Sequence, residues 1–218
     1  MSDPTIDPAV YWENRYREKG GWWSGNVNAA LEREVGGIAP GTALDLGSGE
    51  GGDALWLARE GWSVTAVDIS PTALAIGAAA QRPGDDITWV AADLAAWQPD
   101  RAYDLVTACF LHSDVELPRE RILRRAAAAV APGGMLLIVG HYGRHGHIDL
   151  QLPTPDEVLA DLFAGDSRLD RGEWTVITSA LVERTVTGHD GTEVPLTDSV
   201  LRLRRERPTP RGGRSARA

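Results

Sequence analysis

One short stretch sets the chemical problem. In LDLGSGEGGDALWLA, residues 44–58, Gly47, Gly49 and Gly52 keep the G-x-G-x-x-G spacing with which a strand-to-helix turn holds a dinucleotide pyrophosphate. Asp45, Glu50 and Asp53 stand in the same stretch. A phosphate seated on that helix end would meet negative charge, so the carboxylates point to a cationic ligand without phosphates. The pattern Gly47-x-Gly49-x-Gly51 after Asp45 describes the loop better than the dinucleotide spacing. Glu50 and Asp53 fall at the helix start, where the dipole favours carboxylates, and capping is their expected role. Asp68 lies 23 residues beyond Asp45, where a carboxylate can accept both hydroxyls of a ribose. Nicotinamide enzymes use that device too, so Asp68 alone does not discriminate.

Further along, His112 and His141 have side chains that titrate near neutral pH and can act as bases. The run HYGRHGH adds His145 and His147, but Gly and Arg intervene and no acidic cluster accompanies them. No metal is expected there; a polar loop over a pocket is. Cys109, the single cysteine, reads as core, since no base and oxyanion site can be assembled for a thiol nucleophile.

These residues need elements to position them, and the chain supplies an alternating series. Thr42–Leu46, Ser63–Asp68, Ile87–Ala92, Tyr103–Phe110 and Met135–Gly140 are short, almost continuously apolar runs, as strands are when helices cover both sheet faces. Helices are expected over Asp53–Glu60, from Pro71 (capped by Ser70) to about Gln81, and over Leu117–Val130. Pro132-Gly133-Gly134 turns the last of these into its strand. The pattern is a doubly wound α/β sheet, mostly parallel. The last third differs: a helix over Pro155–Phe163 capped by Thr154, then strands Trp174–Val186 and Ser199–Arg204 with Asp190-Gly191 as the turn signal. Such a C-terminal hairpin is antiparallel in part. Each candidate residue then lies at a carboxyl end of a strand, where open α/β sheets bind ligands.

The 218 residues suit one domain with an appendage. Residues 1–40 hold two short helices, Ala9–Lys19 and Asn26–Val35, and an aromatic set, Trp12, Tyr16, Trp22 and Trp23, that fits a lid. Residues 41–205 form the domain, and 206–218 a basic tail expected to be disordered. Residues 202–218 carry net charge +6 and the remainder −15, so the body is acidic. That disfavours nucleic acid as the main ligand. No secretory leader and no apolar run of membrane-spanning length is read, and the lone cysteine suits a reducing cytoplasm.

The order of elements, LDLGSGEG, VDIS at the end of the second strand, Asp93 in AADL, the APGG turn and the closing hairpin resemble the class I S-adenosylmethionine-dependent methyltransferases. YWENRY, GGWWSGN and FLH resemble the small-molecule branch that includes tellurite-resistance and thiopurine-type methyltransferases. The resemblance implies a Rossmann-like seven-stranded sheet with an antiparallel last strand, and S-adenosylmethionine as cofactor. It implies that Asp45, Gly47 and Gly49 lie against the methionine and ribose portion, Asp68 on the ribose, and Ile69, Asp93 and Leu94 about the adenine. Phe110, Trp12 and Tyr16 join the cofactor's surroundings. Trp22, Trp23 and Tyr142 are candidates for a small-molecule methyl acceptor, and His112 and His141 for catalysis by in-line displacement. Three other readings stay open: a methyltransferase of RNA or protein, a non-catalytic cofactor-binding protein, and an NAD-dependent oxidoreductase. The N-P-P-Y signature of many N-methyltransferases is absent; CFLH stands in its place.

Overall fold

The computed structural model describes residues 6–18, 25–145, 148–164, 169–187 and 193–208. Seven strands form one sheet in the order β3-β2-β1-β4-β5-β9-β8. These are β1 Thr42–Leu46, β2 Ser63–Asp68, β3 Ile87–Ala91, β4 Tyr103–Cys109, β5 Val130–His141, β8 Trp174–Thr187 and β9 Glu193–Arg205. The first five pair in parallel; β9 runs antiparallel between β5 and β8. The mostly parallel sheet with an antiparallel C-terminal strand is thus as expected. The order reverses between β1 and β4, and the crevice at that switch faces the loops after β1, β2, β4 and β5.

Alternation along the strands explains the two layers. Leu136 and Ile138 face one apolar cluster, with Ile122 and Leu123 of α5 (Arg119–Ala128) and Val158 and Leu162 of α6 (Pro155–Phe163). Leu137 and Val139 face the other, with Leu31 and Val35 of α2 (Ala29–Val35) and Leu57 of α3 (Gly52–Arg59). α4 (Pro71–Ala80) starts where expected: the Ser70 hydroxyl accepts from the Ala73 N–H at 3.2 Å. Among the described helices, none is long and apolar enough to cross a membrane.

Several expectations shift. β5 begins at Val130, not Met135, because the Pro-Gly-Gly turn is drawn into the ladder with an irregularity opposite Tyr103 and Leu105. The expected polar loop after β5 contains a small hairpin, β6 Gly143–His145 with β7 Ile148–Leu152. Within residues 1–40, expected as an aromatic lid segment, the two described helices have different surroundings. α1 (Pro8–Glu18) packs against α4, whereas α2 is core, with Leu31 fully buried. Trp22, Trp23, Asp190-Gly191 and residues 209–218 of the tail lie outside the described residues.

The glycine loop is held from beneath by Trp89. A side chain at Gly51 (φ 80°) would strike that ring, and one at Gly77 would meet it at 2.6 Å and the Glu50 carbonyl at 2.9 Å. Gly51→Ala and Gly77→Ala are each expected to cost about 1–3 kcal/mol, from overpacking and, at Gly51, positive φ. Thermal denaturation measures this; an unchanged Tm for both variants would contradict the packing.

Candidate functional site

A cleft of about 610 Å³ opens at the carboxyl ends of the strands. It is lined by Trp12, Tyr16, Asp45, Gly47, Gly49, Asp68, Ile69, Asp93, Leu94, Phe110, His112 and His141. The fold thus brings these twelve sequence candidates together. Tyr142 is not among the lining residues; it follows His141 with its N–H bonded to the Thr197 carbonyl at 2.9 Å. Asn26, Asn28, Ser48, Glu116, Arg184 and Asp198 line the cleft too, and the sequence reading did not select them.

The floor is acidic and buried. Asp45 accepts from the Thr107 hydroxyl at 2.9 Å through Oδ1, while its buried Oδ2 has no hydrogen-bond partner among the described residues. Burial, reinforced by Asp53 and Asp68 and opposed by the Thr107 bond, pushes its carboxyl up to about 8. Asp53 is also raised, first by burial, against an N–H bond from Asn28 at 2.7 Å. This corrects the capping expectation: α3 has Gly51 (φ 80°) at its N-cap with no side-chain cap, and Asp53 instead ties α3 to the residue that starts α2. Glu50 is buried at the cleft wall. Ser48 Oγ and Asn28 Nδ2 are likewise buried without a partner among the described residues. Cys109 sits beside Asp53, and burial first, then the neighbouring carboxylates, push its thiol well up. A thiol so disfavoured as thiolate is no nucleophile.

Asp68 works first as a brace. Its two oxygens accept from the N–H groups of Gly49 at 2.8 Å and Ser70 at 2.9 Å. A carboxylate has about four lone-pair positions, so both oxygens can still accept from a ligand. Asp93 accepts from the Ala95 N–H at 2.8 Å and shapes the turn that buries Leu94.

α1 spans the mouth as a strap with two fastenings. On one side Glu13 accepts from the Ser70 hydroxyl at 2.7 Å and the Thr72 hydroxyl at 2.6 Å, bonds that hold its carboxyl down at about 2. On the other side the Trp12 indole donates to Ser113 Oγ at 3.1 Å and the Tyr11 hydroxyl to Asp114 at 2.9 Å. Trp12 and Tyr16 are thereby set over the cleft, their rings 6.2 Å apart.

At the far end, the β5–β9 register sets His141 opposite Asp198. His141 Nδ1 lies 3.5 Å from Asp198 Oδ1, and Arg184 Nε donates to Asp198 Oδ2 at 2.6 Å. Burial opposes the charge on Asp198, yet His141 and Arg184 hold its carboxyl below its ordinary value. His112 Nε2 accepts from the His141 main-chain N–H at 3.3 Å and sits where a side chain at residue 140 would be, 2.9 Å from the Cβ that Gly140 lacks. Its lone pair is therefore engaged, and the two candidate histidines are not equivalent. Among the described residues, no group of three or more His, Cys, Asp or Glu is arranged to hold a metal ion.

Residues 43–134 match the model of a family described as "Methyltransferase domain". Hemagglutinin 1 of Eikenella corrodens is 34% identical over 118 residues, covering 52% of this chain and 38% of its own. The 2-heptyl-1-hydroxyquinolin-4(1H)-one methyltransferase of Mycobacteroides abscessus is 34% identical over 108 residues, 47% of each chain. The chain spans less than half the length of these curated relatives. A solved structure from work on the conversion of a disulfide bond into a thioacetal group during echinomycin biosynthesis is 26% identical, with a TM-score of 0.63. That similarity covers 92% of this chain and 94% of the other.

Asp45 is protonated in the fold up to about pH 8 but ionised in the unfolded chain above its ordinary value of about 3.9. The unfolded state then binds fewer protons, so this group's contribution to stability falls as pH rises through that window. Asp45→Asn removes the loss. The variant is expected to melt above the unmutated protein at pH 8, with the margin shrinking toward pH 4; a margin independent of pH would show that Asp45 does not carry the effect.

Proposed function

We propose that the chain is a class I S-adenosylmethionine-dependent methyltransferase, as the match of residues 43–134 to a methyltransferase domain and the shared fold support, and that it moves a methyl group from S-adenosylmethionine to a small-molecule nucleophile by in-line displacement. The observation that carries this is the buried, unpartnered Oδ2 of Asp45 in an acidic floor beside the glycine loop. Such an oxygen calls for a cation, and a pyrophosphate would be repelled there. The residues present fit the cofactor. Asp45 offers an acceptor to its ammonium group and Asn28 Nδ2 a donor to its carboxylate. Asp68 takes the ribose hydroxyls, while Ile69, Leu94 and Asp93 meet the adenine. When bound, S-adenosylmethionine supplies a methyl group on a positively charged sulfur.

The chain's own part is position and dryness. The glycines let the backbone of residues 47–49 come close, and the strap of α1 holds Trp12 and Tyr16 over the cleft. Orienting two reactants in such a site is worth up to about 7–11 kcal/mol. His141, with Asp198 behind it, is the better placed base, because the His112 lone pair already serves the His141 N–H. The acidic body, net −15 outside residues 202–218, supports a small acceptor over a nucleic acid. The quinolone methyltransferase among the relatives supports a small-molecule acceptor as well. One cysteine and the absence of a long apolar helix among the described residues are in keeping with a cytoplasmic setting.

Calorimetry tests the reading. S-adenosylmethionine is expected to bind and NAD not to. The heat at pH 7 should vary with the buffer's ionisation enthalpy, because a cation beside Asp45 expels its proton. Preference for NAD would end the proposal. Asp68→Ala should weaken the cofactor by about 1.5–3 kcal/mol through lost charged hydrogen bonds. An unaltered Kd in the folded variant would remove Asp68 from the ribose.

A further inference from the structure

The end of the cleft built by β4, β5, β8 and β9 differs in sign from the rest. Among the described lining residues Arg184 is the one Lys or Arg, in a cleft that also holds Asp45, Glu50, Asp53, Asp93 and Glu116. Its Nε is committed to Asp198 at 2.6 Å, but its two Nη groups have no protein acceptor among the described residues. The guanidinium lies 5.7 Å from the centroid of the Phe110 ring, and the His141 ring stacks on Phe110 at 4.3 Å and 26°. Phe110 has φ 52°, the one non-glycine residue in the left-handed region among the described residues. That conformation costs roughly 1–3 kcal/mol and is kept where surrounding structure enforces it. Here it aims a flat ring at both Arg184 and His141.

We propose that this end is a subsite for an aromatic hydroxy acid, a planar ring bearing both an ionisable hydroxyl and a carboxylate. The proposal rests on the methyltransferase reading. The ring packs against the Phe110–His141 platform. The carboxylate pairs with the Nη groups of Arg184, since every other charged wall repels it. The hydroxyl faces His141. Its proton passes to Nε2, the nitrogen opposite the one that faces Asp198. The oxygen's electron pair forms the new O–CH₃ bond, and the C–S pair stays on sulfur as a neutral thioether. The proton on His141 then leaves to solvent. Asp198 is a positioning residue: it orients the imidazole and balances its charge in transit, while Arg184 offsets the charge of Asp198 beforehand.

The test uses the full chain saturated with S-adenosylhomocysteine and two probes, 3-hydroxybenzoate and 3-hydroxybenzamide, titrated by calorimetry. The carboxylate should bind more tightly, and Arg184→Gln should erase that preference, a loss of roughly ten- to hundred-fold, with affinity for S-adenosylhomocysteine retained. Equal binding of the two probes, or binding of neither, overturns the subsite. Failure of S-adenosylhomocysteine itself to bind refutes instead the methyltransferase reading. Turnover separates the base from its scaffold. With His141→Gln and with Asp198→Asn, methylation of 3-hydroxybenzoate should fall steeply. Methylation of 3-hydroxy-4-nitrobenzoate, whose hydroxyl is already ionised at pH 8, should be spared. Equal losses on both acceptors would exclude His141 as the base.

Discussion

The structure is organised around acidic side chains that it buries at the sheet's carboxyl edge, one of them, Asp45, with an oxygen left unsatisfied. Asp45 is set at the centre of the sheet by pairing with β2 and β4, and one of its oxygens is left without a donor. An unpaired buried polar group costs about 1–3 kcal/mol, and Asp53 and Asp68 nearby add to it. The apolar clusters on the two sheet faces must outweigh that cost, and they can because β1, β4 and β5 are covered on both sides. Stability is thereby exchanged for a floor of acidic oxygens that a cationic guest, on displacing the Asp45 proton, would satisfy.

The rest of the site follows from where that floor lies. Glycines after β1 leave room above it, and Trp89 beneath Gly51 and Gly77 keeps the loop from sinking. Asp68 bridges the loop after β1 and the start of α4, so two segments that line the cleft are tied to each other. α1 is fastened to that same start through Glu13 and to the loop after β4 through Trp12 and Tyr11. An eleven-residue helix is marginal alone in water, so these fastenings, with the burial of Tyr16, hold it in place. At the other end the charges are mixed: Arg184, Asp198 and His141 form a line in which the middle carboxylate is held ionised from both sides.

Much of this could be read along the chain, for local reasons. A strand, a glycine turn and a helix are written within a few residues, so Asp45, Gly47 and Gly49 declared themselves by spacing, and Asp68 by its place after a strand. Other signals misled because the competing interaction is distant in sequence. Asp53 sits at a helix start as a cap would, yet Asn28, 25 residues earlier, claims its oxygen. His112 and His141 were both candidates by residue type and place after a strand; the bond from the His141 amide to His112 Nε2, and Asp198 beside His141, separate them. Of the β6–β7 hairpin, β7 was legible in the alternation of IDLQL, residues 148–152, whereas β6, Gly143–His145, is three residues with no apolar side chain and shows only through its pairing.

What the sequence by itself determined is what local chemistry enforces: the alternating elements, the mostly parallel sheet, the acidic glycine loop and the positions at strand ends. Hydrophobic period, caps and turns act over a few residues and need no partner. What only the tertiary structure decided is which distant residues become neighbours. Asp198 stands 57 positions from His141, in a strand that carries no motif, and meets it because β9 inserts antiparallel between β5 and β8 in one register. A shift of one residue would turn Asp198 to the other face. Side chains on β8, β9 and the strap of α1 were ordinary polar and aromatic residues in the sequence, and sheet pairing and helix docking gave them a site to complete.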